Sequence, residues 1–347
     1  MFDRLRLCFV SHRASPYPGG TEVFVHAMAT AARDRGHDVR ILTGQHKGDC
    51  DGIPVTSDQT LLDHDRFDLI VVHGATDGPP RRTLDRAMHL PSPVLYMVVA
   101  HCASHVRRHH LTGARLLGWS TPLDQRIIAA HGLLARAVRV RHGLKIAACI
   151  GHPGFRARHG IDPDRTLFLS CGGYRPNKRM SALAELFERT ASGAMLVTTG
   201  YDNPINAMPA CSARVLPLLL DDRAEVLSAI AEADCYLMHS RDEGFGLVLL
   251  EAMANRTPWI ARATGGATVL SDCGQNYTRD IDLPGLIDAF APDPDRIARA
   301  FDRVTREFDI SCTIEDLEHA ALQARLAAMP AKRGALAARL LLLTGVG

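Results

Sequence analysis

Hydrophobic residues along this chain alternate between two patterns. Short apolar runs near residues 5–10, 38–42, 68–74, 94–100, 166–170, 194–200, 214–216, 235–238 and 259–262 read as buried strands. Between them, apolar positions recur at helical spacing: at Val23, Phe24, Ala27, Met28 and Ala31, at Leu183, Leu186 and Phe187, and through 222–233, 247–256 and 314–329. Ser120-Thr121-Pro122 opens one more helix, with a hydroxyl cap and proline in the first turn. Strands that alternate with helices predict parallel sheets and an α/β fold. At 347 residues the chain is long for a single core. The stretch 151–164, rich in Gly, Pro, His and Arg, reads as a linker, which gives domains at 1–150 and 151–310 followed by helices at 311–347.

The densest chemistry follows the strand at 235–238. It runs Ser240-Arg241-Asp242-Glu243-Gly244-Phe245-Gly246-Leu247, and then a helix free of Gly and Pro continues to Arg256, closed by Thr257-Pro258. The glycines let backbone approach a ligand closely. The unpaired N–H groups at the helix start favour an anion such as a diphosphate. Glu243 and Glu251 are eight residues apart, so they lie roughly 80° from each other around the axis and border one cleft at different depths. Taken alone, such a pair is as readily two solvated surface carboxylates.

Two other strand ends carry comparable loops. Residues 11–18 are turn-rich and lead through Gly19-Gly20 into a helix opened by Thr21-Glu22. This is not the Gly-x-Gly-x-x-Gly fingerprint, which counts against a nicotinamide dehydrogenase. A Gly-Gly pair at a helix start can still hold a diphosphate on backbone N–H groups. The strand at 166–170 ends in Cys171-Gly172-Gly173-Tyr174-Arg175-Pro176-Asn177-Lys178-Arg179, again ahead of a helix.

Glu243 and Glu251, within Ser-x-x-Glu-Gly-Phe-Gly-Leu, resemble the paired-glutamate signature of the retaining glycosyltransferases of GT-B family 4. Gly19-Gly20-Thr21-Glu22 with Gly36-His37-Asp38-Val39, and then the 171–179 loop, resemble the same family in the same order. The resemblance implies two Rossmann-like domains whose parallel sheets face each other across a cleft, with the last helices crossing back to the first. It places Glu251 on the donor's ribose and Glu243 on the donor sugar. It places Lys178, Gly19, Gly20 and the turn Gly244, Phe245, Gly246 and Leu247 around the diphosphate, with Gly200 and Tyr201 near the base and Gly265-Gly266 facing the same crevice. A catalytic histidine over the sugar falls on His101, with His105 and His73 as the other candidates. The family's arginine, five residues before the lysine, falls here on Gly173; Arg175 or Arg179 could substitute.

The implied reaction moves a sugar from a UDP- or GDP-sugar to a hydroxyl of a glycan, lipid-linked or small-molecule acceptor. It retains configuration by front-face attack and needs neither metal nor cofactor. Asp293-Pro294-Asp295 has metal-type spacing but lies in a late loop. Bacterial cell-surface polysaccharide synthesis is the family's commonest setting. A nucleotide-sugar epimerase would share this fold, and a non-catalytic nucleotide-sugar-binding subunit would tolerate the displaced arginine.

Composition narrows the setting. A 46% apolar, 22% charged chain with net charge +2 is an ordinary globular one and gives no case for nucleic acid. The halves differ: residues 1–150 hold 19 Lys+Arg and 13 Asp+Glu, the remainder 21 and 25. Much of the excess lies in 101–150, where Arg107-Arg108-His109-His110 and Leu116-Leu117-Gly118-Trp119 read either as a solvated helix face or as a peripheral membrane contact. Nine scattered cysteines without paired spacing fit a reducing compartment. With no leader or spanning run visible, the expected location is the cytoplasm, with the inner face of the membrane as its limit.

Overall fold

The structure is a computed structural model that describes residues 4–17, 19–44, 48–74, 77–99, 107–201 and 208–328. The first lobe is built on eight strands: β1 (Arg6–Val10), β2 (Asp38–Leu42), β3 (Gly48–Cys50), β4 (Ile53–Thr56), β5 (Leu69–His73), β6 (Val94–Met97), β7 (Leu116–Trp119) and β8 (Ala137–Arg139). Their spatial order is 3-4-2-1-5-6-7-8, parallel except where β3 meets β4. The second lobe holds β9 (Leu167–Cys171), β10 (Met195–Gly200), β11 (Val215–Leu219), β12 (Cys235–Met238), β13 (Trp259–Arg262) and β14 (Gln275–Tyr277). Its order is 11-10-9-12-13-14, parallel throughout.

Both sheets are buried on both faces, which is why their strands read as continuous apolar runs. β5, β6, β9 and β12 are buried at every position. In each sheet the chain winds outward in one direction and then returns to wind in the other. The reversals fall between β1 and β5 and between β9 and β12. Crevices at such reversals, outside the carboxyl ends of the strands, are where open α/β sheets take ligands. The loops after β1, β9 and β12 therefore occupy the positions that matter.

The lobes are joined by two crossings that run side by side. The N–H of Leu144 donates to the Phe308 carbonyl at 2.9 Å, and the N–H of Ile310 donates back to the Leu144 carbonyl at 2.8 Å. Beyond the second crossing, the helix Ile310–Ala327 returns to the first lobe. Its Ile314, Leu317, Ala321 and Ala324 share one core with Leu7, Phe9 and Phe24. Arg141 binds Asp316 through Nε (2.8 Å) and NH2 (2.6 Å), and buried His37 meets buried Glu318 at 2.9 Å. Residues 329–347 lie outside the described residues.

Two stretches differ from their sequence reading. The basic segment forms the short helix Arg108–Gly113 and then β7, so Leu111, Leu116 and Leu117 sit in the core and not on a membrane-facing surface. The basic run from Arg107 to Arg115 directly ahead masks the strand. Residues 151–164 are not a free linker either. Phe155 and Ile161 are buried in the second lobe's core, and Glu232 accepts the Arg156 N–H at 2.7 Å. Among the described residues no helix is long and apolar enough to cross a membrane.

Candidate functional site

The loop after β9 is held from several sides. Gly172 has φ +144°, a conformation that favours glycine, and a Cβ at Gly173 would sit 2.8 Å from the Tyr201 ring. Tyr174 is fully buried; its O–H lies 2.8 Å from the Thr198 carbonyl and 2.9 Å from that of Leu218. Arg179, itself left-handed at φ +54°, forms a forked bond to Asp280 at 3.1 and 2.6 Å. That clamp holds the Asp280 carboxyl below its usual range. Between these anchors, Lys178 projects from a 3-10 turn and donates to both carboxylate oxygens of Glu243 at 2.8 Å.

Glu243 comes from the loop after β12, on the other side of the strand reversal. The two loops are zipped: the Arg241 N–H donates to the Asn177 carbonyl at 2.8 Å, and Asn177 Nδ2 donates to the Asp242 carbonyl at 3.3 Å. Gly246 (φ +86°) then turns the chain into the helix Leu247–Ala254, whose first N–H groups have no partner within the helix. Two helical turns from Glu243, the Glu251 carboxylate is 7% exposed and takes a bond from Arg223 at 2.7 Å. Buried Tyr236 donates its O–H to the Cys171 carbonyl at 3.1 Å. Burial raises this phenol's pKa most, and both Glu243 and Glu251 push it further up.

The first lobe closes the groove. The helix Gly20–Asp34 starts at the Gly19-Gly20 pair. A Cβ on Gly19 would strike Glu22 Oε2 at 2.1 Å, whereas the space at Gly20 is open. Glu22 is buried, which raises its pKa; its own N–H and the charges of Arg13, Arg175 and His12 oppose that rise. Arg175 reaches across to the Tyr17 hydroxyl at 3.3 Å and lies 5.9 Å over the Tyr201 ring. Tyr17 and Tyr201 meet edge to face at 5.9 Å. Arg175 and Tyr201 of the second lobe thus meet Tyr17, two residues before Gly19, while Lys178 meets Glu243 and Glu251 lies two helical turns further on.

Other expected residues are placed differently. His101 and His105 lie outside the described residues. His73 is buried against His142 and away from any open surface. The Phe245 side chain is buried too and stacks on His142, so only its backbone remains for a ligand. Gly200 has no room for a side chain, because a Cβ there would lie 2.6 Å from Tyr174. Of the two substitute arginines, Arg179 is tied to Asp280 and Arg175 faces the groove. Sequence reasoning missed Arg223, Tyr17 and Glu22 as groove residues; only Glu22 carried a signal, as the fourth residue of the Gly-Gly-Thr-Glu run.

Gly244 packs closely against the first lobe, since a Cβ there would fall 2.9 Å from Val99 Cγ1. Gly244→Ala should therefore prise the groove open and lower the efficiency of any reaction in it by about tenfold. Adding Val99→Ala should restore most of the loss, as steady-state kinetics of the single and double variants will read.

Other features lie apart. Two hollows, one lined by Trp259, Cys273 and Gly274 and the other by Thr166, Gly193 and Ala194, sit at the opposite, amino ends of the second sheet's strands. Asp85, His109 and His110 form a trio of metal-ligand type in the first lobe. The Arg107 N–H donates to His110 Nδ1 at 3.3 Å, which leaves the proton on Nε2 to bond Asp85 at 2.8 Å. The trio is thereby internally satisfied.

Residues 153–306 match the family Glycosyl transferases group 1. Over 161 residues, 40% of this chain is 33% identical to 37% of the D-inositol 3-phosphate glycosyltransferase of Kineococcus radiotolerans. A 124-residue segment is 31% identical to 28% of the protein of the same name from a Mycobacterium species. The chain thus spans about a third of the length of the curated relatives it matches. Among solved structures, Anabaena HepE in complex with UDP-glucose is similar at TM-score 0.72 and 17% identity, over 91% of this chain and 99% of that one. Sucrose-phosphate synthase of Thermosynechococcus elongatus gives 0.73 at 17%, over 94% and 100%. WaaG, a glycosyltransferase involved in lipopolysaccharide biosynthesis, gives 0.65 at 18%, over 89% and 98%. Residues 153–306 thus resemble the glycosyl transferases group 1 family, in a chain that has the two-lobed GT-B fold.

Proposed function

We propose that this chain is a glycosyltransferase that moves a sugar from a nucleoside-diphosphate sugar to an acceptor hydroxyl, with retention and without a metal ion. The observation that carries the reading is the Lys178–Glu243 pair at the β9/β12 reversal, with Arg175 of the same loop reaching Tyr17 just ahead of the Gly19-Gly20 helix start. Cleavage of the sugar–phosphate bond places extra negative charge on the departing diphosphate. Lys178, Arg175 and the free amides at Gly20 and Leu247 offer fixed positive charge and donors for it. Glu243 and Glu251 accept hydroxyl donors, from the sugar and the ribose respectively. Each already sits on a cation, Lys178 or Arg223, which favours charge compensation by side chains over a metal bridge. Retention and front-face attack rest on the family resemblance, and neither carboxylate is assigned as nucleophile.

UDP is the first choice of donor nucleotide, because the neighbour HepE binds UDP-glucose. The acceptor is a glycan, a lipid-linked sugar or a small polyol; the relatives named for D-inositol 3-phosphate support the last. A role in surface polysaccharide synthesis, and a peripheral membrane contact, belong to the same proposal. Within the basic 101–145 region, Leu123 and Leu134 are the large apolar side chains left exposed among the described residues. The chain should be incubated with UDP- and GDP-sugars, with and without acceptors, while nucleotide release is followed and the product anomer is read by NMR. Release that persists in chelator is the expected result. Epimer formed from donor alone would replace transfer by epimerisation, and tight donor binding without turnover would make the chain a binding subunit.

A further inference from the structure

The hinge carries an aromatic sandwich that the groove chemistry does not use. His142 lies on the first crossing, two residues before Leu144. Its ring stacks on Phe24 of the first lobe (centroids 4.4 Å, 16° between planes) and on Phe245 of the second (5.2 Å, 3°). Its Nε2 lies 3.4 Å from His73 Nε2 at the end of β5, and its Nδ1 is buried without a hydrogen-bond partner. Phe245 is two residues from Glu243. The Phe245 carbonyl takes the Gly266 N–H at 2.6 Å, and a Cβ on Gly266 would collide with it at 2.4 Å. The turn therefore has one rigid backing, residues 265–266, and one ring that reaches the other lobe.

We propose that His142 is a positioning residue: sandwiched between Phe24 and Phe245, it sets the Glu243–Gly246 turn against the first lobe, and through it the Lys178–Glu243 pair. A flat ring suits this place because both neighbours present faces nearly parallel to it. An imidazole adds a tether to His73 that a phenyl ring lacks. Burial drives the His142 pKa well down, and the His73 charge lowers it further, so the ring stacks in its neutral form. The role rests on the transfer reaction proposed above, but the ordering of the turn can be measured without it.

The test uses two variants of the full chain: His142→Leu, close in volume but without the planar ring, and His142→Phe, somewhat larger but with the ring kept. Amide hydrogen exchange over residues 239–250 is measured without ligand, the UDP Kd by calorimetry, and kcat and KM for transfer where transfer occurs. His142→Leu should exchange at least tenfold faster in that segment and lose ten- to a hundredfold in kcat, with UDP binding weakened less than tenfold but retained. His142→Phe should restore most of the protection and at least a third of kcat. Wild-type exchange in His142→Leu overturns the proposal, as does a His142→Phe no better than the leucine variant. Loss of UDP binding in His142→Leu also overturns it, because the ring would then support the second lobe's folding and not the turn's placement. Absence of transfer by the wild-type chain would sink the proposed reaction instead, and the exchange result would still decide the role of His142.

Discussion

Replacing Lys178 by alanine is expected to lower turnover by about 10²–10³-fold, the usual cost of removing one preorganised donor from a site of charge development. The lysine is well placed for such a loss. Its loop is pinned by Tyr174 and by the Arg179–Asp280 fork, and its ammonium group is already oriented by both oxygens of Glu243. Little reorganisation therefore remains when a diphosphate arrives. Removing it also leaves the largely buried Glu243 carboxylate without its partner, so stability should fall by about 1–2 kcal/mol, far less than needed to unfold the chain. Lys178→Arg should rescue only partly, since a planar fork does not reproduce a compact ammonium. Kinetics with donor and acceptor, alongside thermal melts, separate the two effects. Turnover at the wild-type rate in Lys178→Ala would pass the role to Arg175, the cation that faces the groove from the same loop.

That groove was partly legible in the sequence, and the legible part has a common cause. Strands buried on both faces are unbroken apolar runs, and the loops at their carboxyl ends must take the odd residues that a ligand or a tight turn requires. Gly19-Gly20, the 171–179 loop and the turn at Gly244–Gly246 stand out for that reason. What stayed hidden depends on three-dimensional neighbours. Arg223 looks like any basic residue after a helix cap, and only the fold sets it on Glu251. Arg175 and Arg179 are equivalent on paper; the difference arises because Asp280, a hundred residues further on, takes one of them. Phe245 sits inside the strongest motif of the chain, yet its ring belongs to the hinge, since neither a helix start nor a glycine flank tells which way a side chain turns. The strand β7 was missed because the basic run from Arg107 to Arg115 ahead of it outweighed its four apolar residues. Residues 151–164 were misread for a related reason: Gly and Pro mark turns, but Phe155 and Ile161 bind those turns to a core.

The second large effect is expected at Glu251. Glu251→Ala should weaken binding of the preferred nucleoside diphosphate, UDP or GDP, by more than tenfold, or about 1.4 kcal/mol or more. Hydrogen bonds to a charged acceptor contribute about 1.5–3 kcal/mol each, and a carboxylate facing a ribose can take two hydroxyl donors. Arg223 occupies one side of Oε1, which fixes the carboxylate's orientation and leaves Oε2 and the remaining lone pairs to the ligand. Because alanine would also strand the Arg223 charge, a lost contact has to be distinguished from a disturbed wall. Calorimetry with the ribonucleotide and its 2′,3′-dideoxy analogue does so. The wild-type chain should prefer the ribonucleotide strongly, and Glu251→Ala should bind both alike. Arg223→Ala, which leaves Glu251 in place but less firmly oriented, should keep the preference while losing part of the affinity. If Glu251→Ala still discriminated ribose from dideoxyribose, the carboxylate would be a partner of Arg223 alone, and the ribose would have to be read elsewhere along the β9–β12 edge.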